Sequence, residues 1–166
     1  MDGTAPPVEH DAYDDGYIRK ILGEVRTIAM VGASANWNRP SFFAMKYLMQ
    51  KGYRVIPVNP RSAGDKILGQ PVVAKLDEIG ETVDMVDAFR PAEECVDIAE
   101  QAVRIGAKVL WLQLGIRNDE AARVAEAAGL KVVMNRCPKI EYARLNGELG
   151  WNGINSRVIS SKRRRI

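Results

Sequence analysis

The chain has 166 residues, 24 Lys and Arg against 21 Asp and Glu, a formal charge of +3 and 46% hydrophobic content. That length suits one domain burying about 70% of its unfolded surface. No apolar run reaches the roughly 20 residues of a membrane-spanning helix, so the totals describe an ordinary soluble globular protein.

The first 15 residues carry five carboxylates and no Lys or Arg. They have neither a basic nor an apolar region of the kind a secretory signal needs. Residues 1–16 are therefore expected to form an acidic flexible tail, with the single histidine, His10, solvated within it. The two cysteines, Cys95 and Cys137, do not form a close metal-type pair, which points to free thiols and a cytoplasmic location.

The first strand is expected near residues 27–33. It breaks at "MVGASANWNRPSFF" into a helix over 40–51, with Pro40 in the first turn, where a missing N–H costs nothing. A strand at 53–58, a short strand at 71–73, a short helix at 75–79 and a strand at 83–88 follow. A helix over 91–105 opens on Pro91, with Glu93 and Glu94 complementing its dipole. A strand at 108–113 leads to a helix at 118–128, capped by Asn118 and followed by Asp119 and Glu120. The series ends with a strand at 131–134 and a turn or helix at 138–144. Three junctions, "QKGYRVIPV", "RIGAKVLWLQ" and "AAGLKVVM", share a glycine that closes a helix just before an apolar strand. Strands alternating with helices imply right-handed crossovers. The fold expected over 17–146 is a single Rossmann-like, doubly wound α/β domain, its mostly parallel sheet covered by helices on both faces. Residues 147–166 read as a basic tail; its "KRRR" at 162–165 lacks interleaved aromatics, which disfavours nucleic acid as partner.

In such a sheet, ligands bind beyond the carboxyl ends of the strands. Five loops should therefore converge on one cleft: Gly32-Ala33-Ser34 with Asn36 to Ser41, Asn59-Pro60-Arg61, Phe89-Arg90-Pro91, Leu114-Gly115-Ile116, and Asn135-Arg136-Cys137-Pro138. A helix starting near Pro40 favours a phosphate at its N-terminus, with Ser34 and Arg39 as further donors. The three-glycine dinucleotide fingerprint is missing. Where an NAD site presents a carboxylate after the second strand, this chain has Asn59, Arg61 and Lys66, which favours NADP or coenzyme A (CoA). No phosphate-loop motif, metal-ligand cluster or Tyr-x-x-x-Lys pair occurs, and no histidine lies in the expected cleft for acid-base work or phosphoryl relay. No catalytic residue is therefore assigned. Cys137 is the one tempting nucleophile, close in sequence to Arg136 and Lys139. Cys95 and Trp111 read as core.

The blocks "VGASANWNRPS", "VIPVNPR", "GQPVVAKLDEI", "VDMVDAFRP", "WLQLGI" and "NRCPKIEY", in that order, resemble the CoA-binding domain family. This module is also found at the front of the succinyl-CoA synthetase α chain and in small stand-alone bacterial proteins. The likeness spans roughly residues 18–145. It implies that Gly32, Ala33, Ser34, Arg39, Pro40 and Ser41 hold the coenzyme's phosphates and that Asn59, Pro60 and Arg61 border its adenosine. Phe89 and Pro91 would flank the cleft, and Cys137 would stand where the synthetases have Asn-Cys-Pro. Lys66, Gly115 and Asn135 complete the expected site. The expected function is binding of CoA or an acyl-CoA without a complete catalytic set. The alternative is an NADP-dependent oxidoreductase or CoA-transfer enzyme that needs a partner subunit. Pairing with a second copy of the chain also stays open.

Overall fold

The computed structural model describes residues 8–147. In it each of the three glycine junctions joins a helix to the strand that follows, as expected, among seven strands and five helices. They are α1 (Asp15–Glu24), β1 (Thr27–Val31), α2 (Pro40–Gln50), β2 (Arg54–Val58), β3 (Lys66–Ile67), β4 (Gln70–Pro71), β5 (Met85–Ala88), α3 (Cys95–Arg104), β6 (Val109–Leu112), α4 (Asp119–Ala127), β7 (Lys131–Val133) and α5 (Pro138–Leu145). Short 3-10 turns at Pro60–Ser62, Leu76–Glu78 and Ala92–Glu94 punctuate them.

Five strands form one parallel sheet in the order β2-β1-β5-β6-β7, while β3 and β4 pair separately as a small antiparallel hairpin. The expected Rossmann-like α/β fold is the observed one. One core, with Ile28, Met30, Met85 and Trp111, lies on the face covered by α1, α2 and α5. The other, with Ala29, Val86, Leu110 and Leu112, lies under α3 and α4. Central strands buried on both faces explain why their sequences are unbroken apolar runs.

The chain winds from β1 outward to β2, then returns past β1 to β5, so winding reverses between β1 and β5. The strand ends around it are tied together: the Gly32 amide donates to Val58 O at 2.9 Å, joining β1 to β2, and the Phe89 amide to Val31 O at 2.8 Å, joining β5 to β1.

Three local expectations need correction. The helix after β5 is preceded by a separate 3-10 turn, so α3 proper starts at Cys95 instead of 91. The chain before β1 carries a helix, α1, capped by Asp14, whose carboxylate accepts the Gly16 amide; Ile18, Ile21 and Leu22 are its buried stripe. His10 is not a solvated tail residue: its side chain is 11% exposed, with Nδ1 2.7 Å from the Tyr13 hydroxyl and Nε2 3.1 Å from Glu126 Oε1.

This N-terminal segment covers an open sheet edge. The Tyr17 hydroxyl donates to Val132 O at 2.9 Å and accepts the Val132 amide at 3.1 Å; the Tyr13 hydroxyl accepts the Met134 amide at 2.8 Å. Two phenols thus satisfy backbone groups on the edge of β7 that a sixth strand would otherwise pair. Burial raises the Tyr17 hydroxyl to a pKa of about 12, so it remains a donor across the physiological range.

Candidate functional site

The reversal of winding leaves a cleft of about 1210 Å³ at the carboxyl ends of β1, β2 and β5. Gly32, Ser34, Arg39, Pro40, Ser41, Asn59, Pro60, Arg61 and Phe89 all line it. Ala33, Lys66, Pro91, Gly115, Asn135 and Cys137 lie outside its lining. Ala33 is buried, and its carbonyl accepts a hydrogen bond from Asn59 Nδ2 at 2.9 Å. Lys66 sits on the β3–β4 hairpin, and Pro91 precedes the 3-10 turn before α3. Gly115 and Asn135 bond each other, Asn135 Oδ1 accepting the Gly115 amide at 2.7 Å.

The first loop is built differently from the amide cradle that its sequence suggests. Its backbone donors are largely used within the protein: Ser34 N–H reaches Ser41 Oγ at 3.1 Å, Asn36 N–H reaches Ser34 Oγ at 3.1 Å and Asn38 N–H reaches Asn36 Oδ1 at 3.3 Å. What remains open is the start of α2. Arg39 at its N-cap makes no capping hydrogen bond with its side chain, Pro40 has no N–H and the Phe42 amide donates to Arg39 O at 3.0 Å, so the Ser41 amide is the first-turn donor left at the cleft, at the positive end of the helix dipole. Asn59 is likewise engaged: its Oδ1 accepts the Arg61 amide at 2.9 Å, shaping the turn that presents Arg61.

Charge in the cleft is divided. Arg90 pairs with Glu94 at 2.7 Å and Arg104 with Asp77 at 3.1 Å. Arg39, Arg61 and Lys75, exposed on the wall formed by the β1–α2 loop and the segment from β2 to the Leu76–Glu78 turn, make no ion pair among the described residues. Beyond them the lining carries the apolar side chains of Phe89, Leu114 and Ile116 together with the carboxylates of Glu93 and Asp97.

Two polar side chains at the sheet's carboxyl end were not singled out by the sequence. Gln113 lines the cleft with only 8% exposure, and its Oε1 is buried without a hydrogen-bond partner. Asp87, fully buried between Met30 and Trp111 in register, also lacks partners for both carboxylate oxygens. Burial pushes its pKa well above the usual carboxylate range, so the acid is neutral where ordinary aspartates are ionised. The available signal was alternation along strands, which places Asp87 and Gln113 on the same face as Phe89 and Trp111.

The cysteines lose their chemical appeal in three dimensions. Cys137 is buried and precedes α5, but Arg136 turns its guanidinium over the Tyr13 ring and Lys139 sits near the Phe43 and Tyr47 rings. Neither base is directed at the thiol. Cys95 is buried, and desolvation with nearby Glu94 and Glu93 raises its pKa to about 11. Trp111 is core, as expected, and its indole N–H donates to Arg136 O at 2.9 Å. Among the described residues there is no cluster of three or more His, Cys, Asp or Glu able to hold a metal ion, and no helix is long and apolar enough to cross a membrane.

A parallel sheet wound both ways from β1, with its cleft at the reversal point, defines a Rossmann-like α/β domain. Residues 26–143 match the CoA binding domain family, and the chain belongs to that family. It is 36% identical over 126 residues to the uncharacterised protein YneT of Bacillus subtilis, an alignment covering 76% of this chain and 92% of that one. Among solved structures it resembles a hypothetical protein from Pyrococcus horikoshii, at 39% identity and TM-score 0.78, with 87% of this chain and 99% of that chain covered. A cell-free-expressed protein from Thermus thermophilus gives 38% identity and TM-score 0.76 over 80% of this chain and 99% of that one.

Proposed function

We propose that the cleft binds CoA or an acyl-CoA, and that the chain acts as a carrier or sensor of that ligand without a complete catalytic set of its own. The observation that carries this reading is the division of charge. Arg39, Arg61 and Lys75 have no ion-pair partner among the described residues and stand on one wall, beside the start of α2.

The chemistry present fits the coenzyme. Its pyrophosphate and 3′-phosphate would draw on Arg39, Arg61, Lys75 and the Ser41 amide at the start of α2, since charge-assisted contacts of this kind are the stronger class of hydrogen bond. Ser34 Oγ already accepts the Asn36 amide, and its hydroxyl proton is left to donate. The pantetheine arm, amide-bearing and otherwise apolar, matches the wall of Phe89, Leu114 and Ile116, where the orphaned Gln113 Oε1 needs a donor such as an amide N–H. A thiol or acyl group carried on that arm would bring its own reactivity; this chain's residues bind and orient it.

Isothermal titration of the purified protein with CoA, NADP and NAD tests the reading. CoA is expected to bind most tightly and NAD least. Tighter binding of NADP than of CoA would overturn it.

A further inference from the structure

We infer that Asp11 and Tyr13, in the segment preceding α1, are positioning residues for the apolar wall of the cleft. Its consequence for binding rests on the coenzyme reading above. That wall is the β6–α4 loop, which puts Leu114 and Ile116 into the cleft although Leu114 is 56% exposed. Asn135, on the β7–α5 loop, holds it from behind. Asn135 Oδ1 accepts the Gly115 amide at 2.7 Å, and the Asn135 amide donates to Ile116 O at 3.0 Å. To do this Asn135 adopts φ +59°, a left-handed conformation that asparagine takes up more readily than other side-chain-bearing residues.

The residues on either side of Asn135 are held by the N-terminal segment. The Tyr13 hydroxyl accepts the Met134 amide at 2.8 Å, one residue before Asn135. The Arg136 guanidinium, one residue after it, lies 5.1 Å from the centre of the Tyr13 ring and donates to Asp11 O at 3.3 Å. On the other loop, Arg117 is held between the carboxylates of Asp11 and Asp119. The far end of the segment is anchored to α4 by His10, which bridges Tyr13 and Glu126.

Asp11 and Tyr13 thus touch both loops from outside, and neither lines the cleft. They act through Asn135 and Arg117, not on ligand. Their effect is to order the wall before binding, which lowers the entropy a ligand must remove from it. A ligand confined to the cationic wall should not sense them.

The test compares the full chain with Tyr13→Phe and Arg117→Ala, titrated with CoA and with adenosine 3′,5′-bisphosphate, which has phosphates and adenosine but no pantetheine arm. Loss of the Tyr13 hydrogen bond should raise the Kd for CoA about three- to tenfold, and loss of the exposed Arg117 ion pairs about two- to threefold. The Kd for the bisphosphate should not change. Unchanged CoA affinity in both variants, or parallel weakening of both ligands, overturns the inference. Amide hydrogen exchange at Gly115 in ligand-free protein separates its failure from that of the coenzyme reading. Faster exchange in the variants upholds the positioning role even if the wild-type chain does not bind CoA; unchanged exchange refutes it.

Discussion

A Cβ on Gly32 would stand 2.6 Å from the carbonyl oxygen of Phe89 and 2.9 Å from Cδ of Arg90, so β1 and β5 end as close together as glycine allows. Gly32 also has φ +85°. Its requirement is thus first a matter of strand packing, and only then of access for a ligand. Gly32→Ala must push apart two backbone segments and hold alanine in a left-handed conformation, a strain of about 1 to 3 kcal/mol at least. The urea unfolding midpoint should fall accordingly with little change in slope. A wild-type midpoint would mean that the strand ends are not so tightly opposed.

Arg39 is the opposite case, because it is exposed and no other described residue pairs with it. Arg39→Ala should leave the thermal midpoint unchanged while weakening CoA by about 1.5 to 3 kcal/mol, the range for a charge-assisted hydrogen bond. Wild-type affinity should also fall with added salt, and the salt dependence should be shallower in the variant. Calorimetry at two ionic strengths measures both effects.

Neither thiol should behave as a reactive cysteine. Cys95 is fully buried with its pKa raised to about 11, and Cys137 is 8% exposed. Thiolate is the reacting species, so Ellman's reagent at pH 8 should modify the native protein slowly and both cysteines promptly after unfolding. Fast modification of one equivalent in the native protein would reinstate Cys137 as a chemical site.

The strands were legible because buried parallel strands must be apolar on both faces, and glycine closes the helices ahead of three of them. Of the β3–β4 hairpin only a short strand was expected, at 71–73, and β4 proves to be Gln70–Pro71; β3 was not expected, since two residues per strand carry no period. α1 was hidden by the acidic stretch around Asp14 and Asp15, although Ile18, Ile21 and Leu22 lie at helical spacing. The location of the cleft followed from topology. Its inner economy did not. That the amides of Ser34, Asn36 and Asn38 are already satisfied, and that His10 reaches Glu126 across 116 positions, depends on folded neighbours that no local pattern encodes.

Asp87 makes the sharpest claim on stability. In the unfolded chain its carboxyl ionises near the ordinary value of 3.8, whereas in the folded protein burial with no hydrogen-bond partner keeps it protonated far above that. Unfolding therefore releases a proton, and the sign follows: this group contributes its stability below about pH 4 and loses it progressively as pH rises toward the folded-state pKa. Over that range the loss approaches about 1.4 kcal/mol per pH unit from this group alone. Asp87→Leu removes the titration and replaces an unpartnered acid with an apolar side chain of the same branching and larger volume, whose packing cost is the same at every pH. The variant should gain on the wild type in denaturant midpoint as pH rises from about 4 toward the folded-state pKa of Asp87. If the two proteins instead run parallel across that range, Asp87 titrates alike in the folded and unfolded states, and its carboxylate must have a partner in solution.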